Sequence, residues 1–263
     1  MRRASVILWS AAALCGCELQ VRPGAESILE AFDGEIAPGE LAAMAIDPYD
    51  ANSRYRGTLG LASAYFASEP VYLRLFEDNI RDPDPAVRTA AARGLANHGE
   101  PRHVPLLTAA LTDKHAMVRL EAARGLQRLH DRSAVGPLIA ATREPVTSGS
   151  AGEPEPEVRA EAADALGQYD EVRVLHALVA ALDDSDLSVN TRALRSLRTL
   201  TGQDFGIDRA AWAEWLSRTQ DPFAGKQIYT YPVFNRALRV YEYIPFIPKP
   251  RNEVSAPPAG MPR

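Results

Sequence analysis

A short phrase recurs along this chain of 263 residues, and it constrains the fold more than any other feature. An acidic residue is followed five positions later by Val, then by a polar residue, and then by an Ala-rich segment that ends in Leu. The four valines, separated by 31, 40 and 31 residues, are Val87, Val118, Val158 and Val189. Such a period indicates supersecondary units that stack, each burying its apolar surface against its neighbours.

Each phrase is predicted to open the second helix of a two-helix unit. Val87, Ala91 and Leu95 have the spacing that places side chains on one helix face, and the later phrases repeat it. Between the phrases lie further segments with helical apolar spacing, and Pro70 and Pro101 suit the first turn of a helix. These first helices are predicted within residues 70–80, 101–111, 133–141 and 171–182. The sequence therefore predicts an all-α, right-handed α-solenoid of about five two-helix units.

The phrase resembles that of HEAT-repeat proteins, in the short form of roughly 30 residues first noted in phycobilisome lyases. The resemblance covers residues 47–201, and it implies a ladder in which acidic residues and arginines of successive units pair along the stack. The implied acidic rungs are Asp50, Asp82, Asp113, Glu153 and Asp184, and the implied basic rungs are Arg56, Arg88, Arg119 and Arg159. Asn190 replaces the arginine in the last full unit, so we expect the ladder to weaken there.

The sequence outside the repeats divides into a signal peptide, a tether, a capping helix and a Pro/aromatic tail, predicted at residues 1–16, 17–46, 202–219 and 220–263. Trp212 and Trp215 are expected to cover the open end of the solenoid, with partner binding as the alternative. The aromatic residues of the tail either strap back over the solenoid or dock a partner, and they are Tyr229, Tyr231, Phe234, Tyr241, Tyr243 and Phe246. Residues 251–263 are expected to be disordered. The loop at 144–157 accounts for the longer repeat step and indicates a tolerated insertion or a functional loop.

The N-terminus has the pattern of an export signal. Arg2 and Arg3 precede an apolar run at residues 4–14 that is too short to span a bilayer. The run ends Leu14-Cys15-Gly16-Cys17, which resembles the bacterial lipobox and implies a lipid anchor on Cys17. We therefore expect a membrane-anchored lipoprotein of the cell envelope that faces the periplasm or the exterior.

The sequence offers little sign of catalysis. None of the five histidines is followed by Glu, as the iron-binding pairs of HEAT-type hydroxylases would require, and no haem, zincin, nucleophile-elbow or Walker motif is present. We predict no enzyme activity, cofactor or metal site, and the net charge of −5 disfavours nucleic-acid binding. An interaction scaffold is the preferred function. A lyase-like enzyme or ligand carrier, and a structural subunit of an envelope complex, remain the alternatives.

The predicted partner-binding surface is a row of arginines on the second helices, expected to line a concave face. It consists of Arg93, Arg124, Arg128, Arg195 and Arg198. The planar guanidinium suits carboxylates, so the expected ligand is an acidic segment of an unidentified protein. The alternative is that these arginines form ion pairs within the chain, since Glu121 and Glu161 lie on neighbouring helical positions and Asp164 interrupts the row.

Overall fold

The computed structural model describes residues 36–147, 151–231 and 255–262. These residues contain eleven α-helices and no strand. In chain order the helices are α1 Pro38–Ala45, α2 Ala51–Ser63, α3 Pro70–Asn79, α4 Pro85–His98, α5 Val104–Ala110, α6 Ala116–Arg128, α7 Val135–Ala141, α8 Pro156–Leu166, α9 Val172–Ala181, α10 Leu187–Thr201 and α11 Arg209–Arg218. Short 3-10 helices, Pro101–His103 and Arg132–Ala134, precede α5 and α7.

The helices form five two-helix units followed by α11. The second helices α2, α4, α6, α8 and α10 pack side by side in chain order, and each first helix packs on the second helix of its own unit. The prediction of an all-α solenoid is confirmed. No helix of the described ranges is both long and apolar enough to cross a membrane. The predicted signal peptide, Cys17 and tail aromatics Phe234, Tyr241, Tyr243 and Phe246 lie outside the described residues.

The repeated phrase builds the core of each unit. The four valines are at most 1% exposed. In α6 the residues one and two turns further, Ala122 and Leu126, are fully buried, and α4, α8 and α10 repeat this stripe. The i, i+4, i+8 spacing thus places one continuous apolar face against the neighbouring helices. Full burial of a leucine side chain contributes about 1.5–3 kcal/mol, so this stripe supplies much of the stability of the stack.

Glycines in two second helices allow the first helix of the same unit to pack closely. A Cβ on Gly94 would lie 2.5 Å from the ring of Phe76, and one on Gly125 would lie 2.8 Å from Leu107. Real side chains do not approach so closely, so any larger residue would push the two helices apart. The glycine of the Ala-Arg-Gly-Leu segment is therefore a packing residue.

The C-terminal helix α11 covers the last unit by packing against α9. Trp212 is fully buried, its indole nitrogen donates a hydrogen bond to the carbonyl of Gly206 at 2.9 Å, and its ring meets Phe205 edge-on with centroids 4.9 Å apart. Trp215 is half-buried and also packs edge-on against Trp212. Trp212 thus has the covering position that the sequence predicted.

The prediction that the chain end is disordered is wrong for residues 255–262. The amide of Ala259 donates to the carbonyl of Arg128 at 2.8 Å, and the carbonyl of Ala259 accepts from the amide of His130 at 2.8 Å. These bonds form a parallel bridge to Leu129, and Pro258 is buried beside it. The proline-rich composition gave no sign of this contact, because main-chain groups make it with the segment that follows α6.

Candidate functional site

Arginines of one unit bind acidic residues of the next unit at the turns between first and second helices. Arg88 donates to both carboxylate oxygens of Asp113, at 2.7 and 2.9 Å. Arg119 binds Glu153 in the same way at 2.7 and 2.8 Å. Arg159 and Asp184 repeat these distances. The structure therefore brings together the sequence-predicted residues of what we call the ladder.

Each ladder pair also closes the turn in which it lies. The third guanidinium nitrogen of Arg88 donates to the carbonyls of Asp82 and Pro83, at 2.9 and 3.0 Å. The Asp82 carboxylate accepts from the amide of Asp84 at 2.8 Å, which fixes the residue that caps α4. The ladder side chains are at most 15% exposed. Their hydrogen bonds are used inside the protein, so the ladder is structural.

The first rung differs from the prediction. Arg54, not Arg56, binds Asp82, at 2.7 and 3.1 Å, and Asp47, not Asp50, accepts the turn amides of Tyr49 and Asp50. Asp50 instead caps α2. A ladder arginine lies four residues after its helix cap, so the position of the cap determines the register and places Arg56 on the exposed surface.

The last unit has no arginine at the ladder position, as the sequence indicated. The side-chain amide of Asn190 donates to the carbonyls of Leu182 and Asp184, at 2.7 and 3.1 Å. It thus bonds its own turn, as the ladder arginines do, and among the described contacts it reaches no further unit. The ladder ends with the pair of Arg159 and Asp184.

A second set of ion pairs joins the second helices to one another along their length. Arg93 of α4 binds Glu121 of α6 at 2.8 Å. Arg124 of α6 contacts Glu121 at 3.1 Å and Glu161 of α8 at 3.5 Å. The two glutamate side chains are 4% and 7% exposed, whereas those of Arg93 and Arg124 are 42% and 31% exposed. We call these residues, with Asp164, Arg192 and Arg195, the second-helix network.

At its C-terminal end this network is centred on a buried aspartate. Arg192 donates a hydrogen bond to Asp164, and a guanidinium nitrogen of Arg195 lies 3.3 Å from the other carboxylate oxygen. Asp164 is 1% exposed, so the expectation that it interrupts an exposed row is wrong. Burial raises the pKa of Asp164, although the two arginines and the hydrogen bond from Arg192 act to lower it. The buried Asp164 thus pairs with both Arg192 and Arg195.

The two remaining arginines of the predicted surface lie at the borders of this network. Arg128 donates to the side-chain oxygen of Asn97 at 2.8 Å, and its guanidinium lies 5.2 Å from the ring centroid of Tyr231. Arg198 binds Asp204 at 2.8 Å. The intramolecular ion pairs considered from the sequence are thus present, and Arg195 and Arg198 are still 43% and 48% exposed.

A segment that follows α11 crosses the second helices, and we call residues 225–231 the strap. The amide of Gln227 donates to the carbonyl of Thr199 at 2.7 Å, near the end of α10. Tyr229 is 2% exposed, and the charges of Asp164 and Arg195 act on its hydroxyl. Tyr231 lies under Arg128 of α6. The strap therefore passes α10, α8 and α6 in the reverse of chain order.

The buried end of the network contains polar atoms that lack a hydrogen bond to the described residues. They are the hydroxyl of Tyr229 and one carboxylate oxygen of Asp164. Burial raises the pKa of Tyr229 well above its ordinary value, and the Asp164 charge adds to this effect. Tyr229 is therefore neutral at physiological pH. A buried polar group without a partner costs about 1–3 kcal/mol.

Several site residues were not predicted from the sequence. Arg54 and Arg192 carry contacts that no repeated spacing singled out. Tyr229 belongs to the tail aromatics that were expected either to strap back over the solenoid or to dock a partner, and its burial corresponds to the first alternative. The alternation of Tyr229 and Tyr231 around an exposed Thr230 is the one local signal for the strap, since alternate side chains of an extended segment share a face.

The remaining chemistry of the described residues is sparse. They contain no group of three or more His, Cys, Asp or Glu that could hold a metal ion. A shallow cleft of about 300 Å³ beside α11 is lined by Phe205, Ala211, Glu214, Trp215 and Arg218, and shares no residue with either network. The two charged networks and the strap are therefore the features on which a functional argument can rest.

Comparison with known proteins identifies the repeat. The family model for HEAT repeats matches residues 73–149 and 144–207, which together make up just over half of the chain. No curated protein matches the chain in sequence.

Solved structures with similar folds include a designed armadillo repeat protein in complex with the peptide (KR)4, at 16% identity and a TM-score of 0.50, covering 68% of this chain and 87% of that one. A second designed armadillo repeat protein has 15% identity and a TM-score of 0.50, covering 72% and 94%. The complex of CpcE and CpcF of phycocyanin lyase from Nostoc sp. PCC7120 has 21% identity and a TM-score of 0.43, covering 68% and 80%. At these identities the likeness shows the fold alone.

Proposed function

The chain belongs to the HEAT-repeat family, and from this premise we propose that it is a non-enzymatic scaffold that binds a protein partner at the cell envelope. The observation that carries the proposal is the second-helix network. Its carboxylates are buried and its arginines are partly exposed, so the surface that a partner meets consists of guanidinium groups. The ligand that matches this surface is an acidic segment of a protein.

The charge balance of the surface supports an acidic ligand. The whole chain has a net charge of −5, but the network combines four arginines with three acidic residues and has Arg128 at its border. Arginine presents a planar fork of N–H donors, which binds carboxylates in a defined geometry. A local positive stripe on an acidic protein would also orient an approaching acidic segment.

A protein of similar fold has been solved in complex with a peptide. The designed armadillo repeat protein noted above was solved in complex with (KR)4, a basic peptide. This supports the mode of binding that we propose and leaves the ligand open. On this chain the arginines of the second helices would select the opposite charge.

The proposed location rests on Leu14-Cys15-Gly16-Cys17, the lipobox-like end of the apolar N-terminal run. A lipid on Cys17 would hold the repeats at the membrane surface, since each buried methylene of an acyl chain contributes about 0.8 kcal/mol. We expect Cys17→Ser to release the protein from the membrane fraction or to block its processing, and wild type to incorporate an acyl label. Unlabelled wild type with unchanged fractionation of the variant would contradict the anchor.

The test of the scaffold function is partner recovery from crosslinked cells by affinity purification and mass spectrometry. The variant is Arg93→Gln with Arg124→Gln, which removes two charges of the network without adding a carboxylate beside Glu121 or Glu161. The control is Arg102→Gln with Arg218→Gln, which removes two exposed arginines elsewhere.

Recovery should fall at least about tenfold in the network variant, as expected for the loss of two partly exposed charge-assisted contacts. The control variant should recover the partner like wild type, and circular dichroism should show both variants folded. Equal recovery from the two double variants would remove the second-helix network as the binding surface.

A further inference from the structure

The strap occupies the C-terminal half of the surface proposed above for a partner. We propose that the strap is a displaceable occupant of the second-helix face, and that an extended partner segment carrying an aromatic side chain binds there by replacing it. The inference rests on the proposed function, because it supplies the geometry in which that surface accepts a ligand. It also makes partner binding conditional on release of the strap.

The strap is held through its main chain at both ends. The amide of Gln227 donates to the carbonyl of Thr199, and Arg195 contacts the carbonyl of Thr230 at 3.5 Å. Thr199 lies in the last turn of α10, where carbonyls lack an intrahelical partner. Main-chain contacts do not depend on side-chain identity, so any extended segment of suitable course can make them.

One side chain anchors the strap. Tyr229 is 2% exposed, whereas its neighbour Ile228 is 79% exposed. The charged groups that influence the pKa of Tyr229 include Asp164 of α8 and Arg195 of α10. The strap thus buries one aromatic side chain near charged residues of two successive second helices and leaves the adjacent side chain in solvent. This defines the ligand as an extended segment with an aromatic residue at the anchoring position.

The anchor is incompletely satisfied, which is why the strap can be displaced. The Tyr229 hydroxyl and one Asp164 oxygen are buried and accept or donate no hydrogen bond among the described residues, although Arg195 lies 3.3 Å from that oxygen. Burying an unpaired hydroxyl is unfavourable. A segment with Phe in this position avoids that penalty and keeps the aromatic contact. Phe would therefore bind at this position more favourably than Tyr does.

The experiment measures binding of a fluorescent peptide with the sequence of residues 225–231 to the full chain. Wild type should bind it weakly, because the strap occupies the surface. Tyr229→Ala weakens the anchor and should bind the peptide at least about tenfold more tightly. Ile228→Ala is the matched control in the same segment, and it should behave like wild type because its side chain is exposed. A peptide with Ala in place of the anchoring Tyr should bind none of them.

Equal binding by wild type and Tyr229→Ala, or binding by neither, would overturn the inference. The Tyr229→Phe variant provides a second measurement, which remains decisive even if Tyr229→Ala does not fold. Removal of the unpaired hydroxyl should slow hydrogen exchange of the Gln227 amide at least about threefold. Unchanged or faster exchange would also overturn the inference.

The peptide is a defined probe, so this experiment does not use the unidentified partner. A negative peptide result overturns the displaceable strap and leaves the test with Arg93 and Arg124 standing. Loss of the proposed function in that test, in turn, would not change the peptide result.

Discussion

The ladder and the second-helix network use the same two ingredients in different ways. In both, an arginine of one unit pairs with a carboxylate of a neighbouring unit. The ladder buries both partners, as Arg159 and Asp184 show with side chains 3% and 2% exposed. The network buries only the acid, since Glu121 is 4% exposed and Arg93 is 42% exposed. The exposure of the arginine therefore distinguishes a structural pair from one that a partner can reach.

The two regions also shift the pKa of their aspartates in opposite directions. Desolvation is the largest influence on Asp113, but hydrogen bonds from Arg88 and from the His115 amide outweigh it and lower its pKa. At Asp164 desolvation outweighs Arg195 and Arg192, so its pKa is raised. A carboxylate that closes a turn gains more from its donors than one that is buried beneath a row of partly hydrated arginines.

The largest expected effect separates the two regions by stability. Arg159→Met leaves Asp184 buried without its bidentate partner and should lower the free energy of unfolding by about 3–5 kcal/mol. Arg93→Met should cost about 1 kcal/mol or less, because the side chain is exposed and Glu121 retains Arg124. Urea unfolding of both variants measures the difference. Equal losses would show that burial of the arginine does not distinguish the two networks.

A smaller effect should distinguish the two aspartates by pH. The folded pKa of Asp113 is lowered, so its stabilisation is present above the ordinary aspartate pKa of about 3.9 and is lost as the pH falls through the lowered value. Asp113→Asn should therefore cost about 1–3 kcal/mol at pH 7 and progressively less in acid.

For Asp164 the sign is reversed. Its raised folded pKa means that its contribution is present below about pH 3.9 and is lost as the pH rises through the raised value. Relative to wild type, Asp164→Asn should gain stability as the pH rises from about 3.9 through the raised pKa, whereas Asp113→Asn should lose stability as the pH rises through the lowered pKa to about 3.9. Unfolding curves at several pH values give both slopes, and parallel slopes would contradict the contrast.

The smallest effect concerns salt. The coupling energy between Arg93 and Glu121, measured by a double-mutant cycle, should fall by a few tenths of a kcal/mol between low and high ionic strength. The coupling between Arg119 and Glu153 should change less, because both side chains are buried away from counterions. A ladder pair as salt-sensitive as the network pair would count against this interpretation.

The sequence predicted those features that repeat. The apolar stripe through Leu126 follows from helical spacing. The ladder pairs from Arg88 to Asp184 were implied by the resemblance to HEAT repeats, in which each pair is copied from one unit to the next. The prediction was wrong for the first rung, where Arg54 takes the ladder position because α2 is capped by Asp50.

The sequence could not predict whether the arginines of the second helices form ion pairs within the chain. The ion pairs of Arg93 and Arg124 were an open alternative, since the burial of Glu121 depends on how closely neighbouring second helices pack. Strapping back was one of two alternatives for the tail aromatics. The burial of Tyr229 and the bond from Gln227 to Thr199 of α10 join positions far apart in the chain, and no periodic pattern records such contacts.

Asn190 ends the ladder in the last unit of the stack. Every ladder arginine donates hydrogen bonds to an acidic residue of the following unit, whereas the side-chain amide of Asn190 donates only to carbonyls of its own turn among the described contacts. A duplicated middle unit would carry an acidic residue for the arginine before it and an arginine for the acidic residue after it. Units could therefore be added within the array without a break in the ladder. A unit appended after Asn190 would receive no arginine. Asn190 therefore marks the C-terminal end of the ladder, and it places no limit on the number of units that precede it.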